Sequence, residues 1–228
     1  VNAMSTARQA FGGAGTQTAG LAFGGNPGGL NATEEYNGTS WTNGGNLGTG
    51  RSYIGGCGTQ TAGLGIGGNP DTNACEEYNG TAWTAGGNLG TAANGIVGVG
   101  TQTAGLAIKV GPGRSTATQE YNGSSWTNGG TLPVAKQNLA GAGLQTAAMV
   151  FGGETASESQ VATTELYNGS SWTNSSNMNV ARQSLAGAGT QTASVAFGGA
   201  IAPPFSNYTD ATEEFTGAGP ETVTLSGS

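Results

Sequence analysis

The sequence predicts an all-β chain of five four-stranded antiparallel blades, a five-bladed β-propeller, and three observations carry that prediction. A Gln-Thr pair recurs five times, at 17–18, 60–61, 102–103, 145–146 and 191–192, with spacings of 43, 42, 43 and 46 residues. Each copy contains short apolar runs closed by glycine, and four copies end in a Tyr-Asn-Gly turn followed by Trp (Tyr36 to Trp41, Tyr78 to Trp83, Tyr121 to Trp126, Tyr167 to Trp172). A period of roughly 40–50 residues holding four short strands is the signature of a propeller blade.

Within a unit, runs such as GLAFGG (20–25) and ASVAFGG (193–199) are too brief for helices and end in glycines, so they read as buried strands. The four strands are labelled a (RQAFGGAG), b (AGLAFGG), c (TEEY) and d (SWT) and are joined as a meander. The Asn-Gly between c and d suits a type I′ hairpin turn, in which both central residues have positive φ. Small residues in strand a fit a crowded inner edge, whereas Tyr and Trp fill the wider gaps between blades. The chain reads as one domain, residues 1–228, with blades at about 1–45, 46–88, 89–131, 132–177 and 178–228. The fifth copy is degenerate, with Phe215 at the Tyr position and Pro220 where Trp should stand. Its strand d is expected from ETVTLSGS, in which Val223 and Leu225 alternate with polar residues.

The Gly-Gly pair ending strand b (Gly24-Gly25, Gly67-Gly68, Gly152-Gly153, Gly198-Gly199), the aromatic residue of strand c and the Trp of strand d resemble the kelch family of repeats. The third copy departs, with Lys109-Val110-Gly111, so a local distortion is expected there. The low charge and the Tyr-Asn-Gly and Trp-Thr dipeptides resemble kelch-like propellers of bacteriophages and marine microbes. That resemblance implies a virion or extracellular cell-surface location, as a tail-fibre adhesin or decoration protein.

Charged residues are 8% of the chain and the formal net charge is −7, which argues against nucleic acid or an anionic membrane as partner, since both need a basic surface. No apolar run is long enough to span a bilayer, and the first residues lack the regions of a signal peptide, so the chain reads as soluble. There is no His, which removes the Ser-His-Asp triad and the commonest metal ligand. No catalytic residue, metal or cofactor is assigned. Cys57 and Cys75 replace small residues of strands a and c and are expected to be packing residues too far apart for a disulfide.

Eight of the thirteen acids are repeated strand c residues, from Glu34 and Glu35 to Glu213 and Glu214. Similar environments suit salt bridging or hydration better than a catalytic pair, whose members need different ones. Aligning the copies places Arg8, Arg51, Ala93, Lys136 and Arg182 at one position, a near-ring of cations close to the Glu ring. They read either as a network pinning blades together or as an axial collar able to hold an anionic sugar or carboxylate. The Asn-Gly sequons are explained by turn chemistry, and NPDTNA (69–74) is weak as a calcium loop.

The copies differ most between strands b and c, and in a meander these loops share a face with the d–a connections. Variable loops on a rigid scaffold are the usual place for recognition. Lys109, Arg114, Ile201, Phe205 and Tyr208 are the candidate contacts, for host-surface carbohydrate or for other virion or surface subunits. The expected function is therefore a non-enzymatic binding or structural module. The alternative is a carbohydrate-active enzyme using Glu154, Glu158, Asp71 or Asp210.

Overall fold

In a computed structural model, which describes residues 2–157, 159–202, 207–217 and 220–223, each repeat resolves into one four-stranded antiparallel sheet. Blade 1 is β1 (Gly12–Thr16), β2 (Ala19–Phe23), β3 (Thr33–Tyr36) and β4 (Trp41–Asn43). Blade 2 is β5 (Gly55–Thr59), β6 (Ala62–Ile66), β7 (Cys75–Tyr78) and β8 (Trp83–Ala85). Blade 3 is β9 (Val97–Gly100), β10 (Gly105–Ile108), β11 (Thr118–Tyr121) and β12 (Trp126–Asn128). Blade 4 is β13 (Ala140–Leu144), β14 (Ala147–Phe151), β15 (Thr164–Tyr167) and β16 (Trp172–Asn174). Blade 5 is β17 (Ala186–Thr190), β18 (Ala193–Phe197), β21 (Thr212–Phe215) and β22 (Pro220–Val223), with the small pair β19 (Ala200–Ala202) and β20 (Asn207–Tyr208) in its b–c loop. The architecture is all-β, five blades in the β-propeller arrangement, and the strands fall within the blade limits read from the repeats. The chain groups into two compact units, Val1–Pro112 with Gln119–Asn128, and Gly113–Thr118 with Gly129–Ser228.

Pro220 pairs with Phe215 in the register that Trp41 holds against Tyr36, so the degenerate copy keeps the backbone of strand d without its aromatic ring. Leu225 lies outside the described residues.

The c–d turn differs from expectation. Its Asn is absent from the positive-φ residues and only the Gly adopts positive φ, +88° at Gly38, so the turn is not type I′. Instead Asn37 Oδ1 accepts the N–H groups of Thr39 and Ser40 at 3.0 and 2.9 Å, while the Asn37 N–H donates to Ser40 O. The loop has four residues, and the amide caps the turn from within.

Consecutive blades are joined by a repeated junction. In the first unit, Trp83 packs on Phe23 of blade 1 with ring centroids 4.7 Å apart and donates Nε1–H to Thr33 Oγ1 at 2.9 Å. The Tyr78 hydroxyl donates to Glu35 at 2.5 Å, and Tyr121 repeats this with Glu77. Burial and the hydrogen bond to the carboxylate push both phenols up to about 12. The Gln of the Gln-Thr pair closes the junction: Gln60 donates to Gly20 O and Tyr36 O of blade 1, Gln102 to Gly63 O and Tyr78 O of blade 2. In the second unit, Gln191 holds Ala148 O and Tyr167 O in the same way.

The small residues of strand a are required by this approach. A Cβ on Gly56 would lie 2.6 Å from Gly13 O, and one on Gly98 would lie 2.9 Å from Gly56 O, so neighbouring a strands leave no room for a side chain. Cys57 and Cys75 are buried free thiols on β5 and β7, and burial raises them to about 12 and about 11. They are packing residues, as their repeat positions imply.

Candidate functional site

The repeated cations are buried in ion pairs inside their own blades. Arg8 donates to Gly24 O, Ala32 O and Glu34 Oε1 at 3.1, 2.8 and 2.6 Å, and Arg182 reproduces this with Gly198 O, Ala211 O and Glu213 Oε1. Arg51 lies 3.0 Å from Glu76, and Lys136 bonds both oxygens of Glu165 and the Thr163 hydroxyl. A backbone N–H takes the second oxygen of three of these carboxylates, from Ser5 to Glu34, Gly48 to Glu76 and Asn179 to Glu213. Burial pushes Lys136, Arg51 and Arg182 down from their ordinary values and the facing carboxylates push them back up. For Glu34 burial acts upward, and the bonds from Ser5 and Arg8 hold it below the usual range.

The expectation that these pairs themselves pin blades together needs correction. The ion pair is internal to a blade, and the joint to the preceding blade is made by the same residue's backbone: Arg51 N to Leu30 O and Gly25 N to Arg51 O, Arg182 N to Val161 O and Gly153 N to Arg182 O. In blade 3, where the cation is Ala93, the matching carboxylate is the amide Gln119, which accepts from Gly90 N and donates to Asn128 Oδ1. Charge is removed from both sides together, as burial demands.

The b–c face of the second unit carries a cleft of about 220 Å³. Asn138, Gln183 and Ser184 line it from the entries to strand a of blades 4 and 5, Glu154 from the b–c loop of blade 4, and Ala200 and Tyr208 from that of blade 5. Tyr208 is 75% exposed. Asn138 donates its amide to Gln183 Oε1 at 3.0 Å, and Arg114 is ion-paired with Glu154, whose charge it offsets. An exposed ring beside amides, a hydroxyl and a neutralised carboxylate offers a stacking face with hydrogen-bond donors and acceptors and little net charge.

Of the expected contacts, Tyr208 lines this cleft, and Arg114 is tied to it only through its ion pair with Glu154. Ile201 stands on β19, 37% exposed, and Phe205 lies outside the described residues. Lys109, in the first unit, is 3% exposed and donates to Asn94 O at 2.7 Å. It adopts φ +68°, the conformation of Gly24 at the same repeat position (+69°), so the third copy keeps the backbone turn of the other copies at this residue where a distortion was expected, and does so with a side chain in a region that favours glycine. Burial lowers its ammonium and Asp71 raises it. Among the acids, Asp71 accepts from the Asn94 amide, Asp210 is exposed, and Glu158 lies outside the described residues. No cluster of potential metal ligands occurs among the described residues.

One element of the site was illegible in sequence. Two residues after each cation position the chain turns left-handed, at Ala10, Tyr53, Gly95, Asn138 and Ser184, with φ from +50° to +60°. Three of the five, Ala10, Tyr53 and Ser184, carry side chains that disfavour this conformation by about 1 kcal/mol. The turn is held by backbone bonds from blade to blade, Tyr53 N to Ala10 O, Gly95 N to Tyr53 O and Ser184 N to Asn138 O, at 2.7–2.8 Å. It sets Asn138 and Ser184 into the cleft wall. Ala, Tyr, Gly, Asn and Ser share no propensity, and only the constant offset from the cation marks the position.

Comparison of the chain with protein-family models and with curated proteins finds no match in either.

Proposed function

We propose that the chain is a non-enzymatic recognition module of the kelch-like type, carried on a virion or microbial cell surface, which binds a host-surface glycan through its b–c loops. The observation that carries this reading is Tyr208, exposed on a short strand pair and bordering a cleft walled by Asn138, Gln183 and Ser184. Sugars present apolar C–H faces and rings of hydroxyls, which an exposed aromatic ring and fixed amides match. The acids support binding over catalysis, because Glu154 is neutralised by Arg114, the strand c carboxylates Glu34, Glu76, Glu165 and Glu213 are held by cations, and Glu35 and Glu77 are held by phenols.

A glycan array probed with the full chain and with Tyr208→Ala tests the proposal. Binding to one glycan class that falls by roughly tenfold or more in the variant is expected, the loss of one stacking contact. Absence of binding to any glycan, with stable incorporation into particles, replaces this reading with that of a decoration protein attached to a neighbouring subunit. Polysaccharide turnover that disappears in Glu154→Gln overturns the non-enzymatic assignment.

A further inference from the structure

Between blades 4 and 5 the repeat places two amides where the fold does not require them. Asn138 is the second residue after the cation of blade 4 and Gln183 the first after that of blade 5, and one hydrogen bond of 3.0 Å joins their side chains. The same two repeat positions hold Ala10 with Ser52, Tyr53 with Asn94 and Gly95 with Gln137, so an amide pair is no condition for joining blades. Packing within blade 5 does not use it either, because the residue bridged to Gln183 is Ala200, which has no polar side chain to offer. Both amides belong to the second compact unit and line the cleft beside Glu154 and Ser184.

One bond between two primary amides leaves one carbonyl oxygen and one NH2 group unused, whichever way each amide is turned. Here these are Asn138 Oδ1 and the Gln183 NH2 group, and neither has a hydrogen bond to another described residue, although Gln183 is only 3% exposed. A buried polar group without a partner is destabilising, so a donor and an acceptor fixed together mark a place where a ligand supplies the partners. Two adjacent sugar hydroxyls have the complementary pattern, since each both donates and accepts. Charge narrows the ligand further. All three cations of this unit are committed, Arg114 to Glu154, Lys136 to Glu165 and Arg182 to Glu213, so none is left to meet a carboxylate or sulfate in the cleft, and Glu154 repels one. At about 220 Å³ the cleft falls below the roughly 300–1,000 Å³ of sites for drug-sized ligands, which leaves room for one ring.

We propose that the cleft holds one neutral sugar ring by two adjacent hydroxyls, one accepting from the Gln183 amide and the other donating to Asn138 Oδ1, and that it rejects sugars carrying a carboxylate or sulfate. This rests on the reading of the cleft as a glycan site and narrows it to a ligand class. Asn138 is the fixed point of the pair. Its left-handed turn, φ +55°, is held by the Ser184 N–H on its carbonyl at 2.8 Å, so the amide is positioned before the sugar arrives.

Three measurements on the full chain test it. An array carrying neutral, sialylated, uronic-acid and sulfated glycans is expected to show binding to neutral termini alone. Titration with the methyl glycosides of glucose, galactose and mannose is expected to find at least one bound, and removing either hydroxyl of one adjacent pair from that sugar should weaken it by roughly tenfold or more, because an amide is then left without a partner. Asn138→Gly should weaken the intact sugar by a similar factor; Gly95 occupies the same repeat position at φ +60°, so the fold accepts glycine there, and circular dichroism checks it. Preference for acidic glycans, equal binding of every monodeoxy analogue, or undiminished binding by Asn138→Gly overturns this inference and leaves the glycan-binding reading in place. Absence of binding to any glycan removes both.

Discussion

The junctions between blades 1 and 2 and between blades 4 and 5 do the same task with different chemistry. The first is polar at its rim, with the Tyr78 hydroxyl on Glu35 and the Trp83 indole on Thr33. The second replaces Tyr, its Glu acceptor and Trp by Phe215, Leu166 and Pro220, and buries Phe215 with Phe151 and Met149 in one cluster. Both keep the Gln clamp on two carbonyls of the preceding blade. Backbone acceptors recur in every copy, so the clamp persists, whereas the Tyr hydroxyl and its Glu acceptor are replaced together by Phe215 and Leu166. The cation site of blade 3 follows the same rule, having lost Arg and Glu together to Ala93 and Gln119.

The severest break of that rule is to remove one member of a buried ion pair. Glu165→Ala strands Lys136, 0% exposed, and should cost about 3–5 kcal/mol in chemical denaturation. Lys136→Ala with Glu165→Gln, the pattern of blade 3, should recover most of that loss, and a double variant no more stable than Glu165→Ala would show that the covariation is accidental.

Alkaline titration separates the two junctions. Tyr78 and Tyr121 are raised from 10.0 to about 12, so the folded state holds their protons more tightly than the unfolded chain. The stability they confer is complete below pH 10 and is lost as the pH climbs toward 12, roughly 2–3 kcal/mol for each phenol. Tyr78→Phe should flatten this loss in an unfolding series at rising pH, and an unchanged profile would place the alkaline weakness elsewhere.

At neutral pH the same Tyr78→Phe change should cost about 1 kcal/mol, the value of one hydrogen bond with its acceptor left half-buried. Adding Glu35→Leu converts the junction to the form found between blades 4 and 5 and should restore the melting temperature. Failure of that rescue would mean that Phe and Leu fit only the surroundings of Phe151 and Met149.

Tyr208→Ala should be the mildest change, within about 0.5 kcal/mol of the original stability, because the ring is 75% exposed. A larger loss in thermal melting would make Tyr208 a packing residue and remove it as a binding contact.

The sequence by itself determined the blade number, the strand order and the packing role of the two cysteines, because repetition reports directly which residues occupy equivalent places. It also marked the Gln-Thr pair, the Glu of strand c and the cation before strand a, yet not their partners. Those partners lie on other strands or on the preceding blade, as with Gln60 on Tyr36 O and Arg51 divided between Glu76 and Leu30 O, and only the tertiary structure could bring them together. The same holds for Lys109, which as an isolated cation in a variable loop suggested a surface contact, but which the fold buries against Asn94. The Asn-Gly turn was misassigned for a related reason: the dipeptide permits positive φ at both residues, whereas the Asn37 side chain, by capping Thr39 and Ser40, selects another conformation. Local propensity constrains what each segment can do, and the hydrogen bonds available after packing decide which of those options is used.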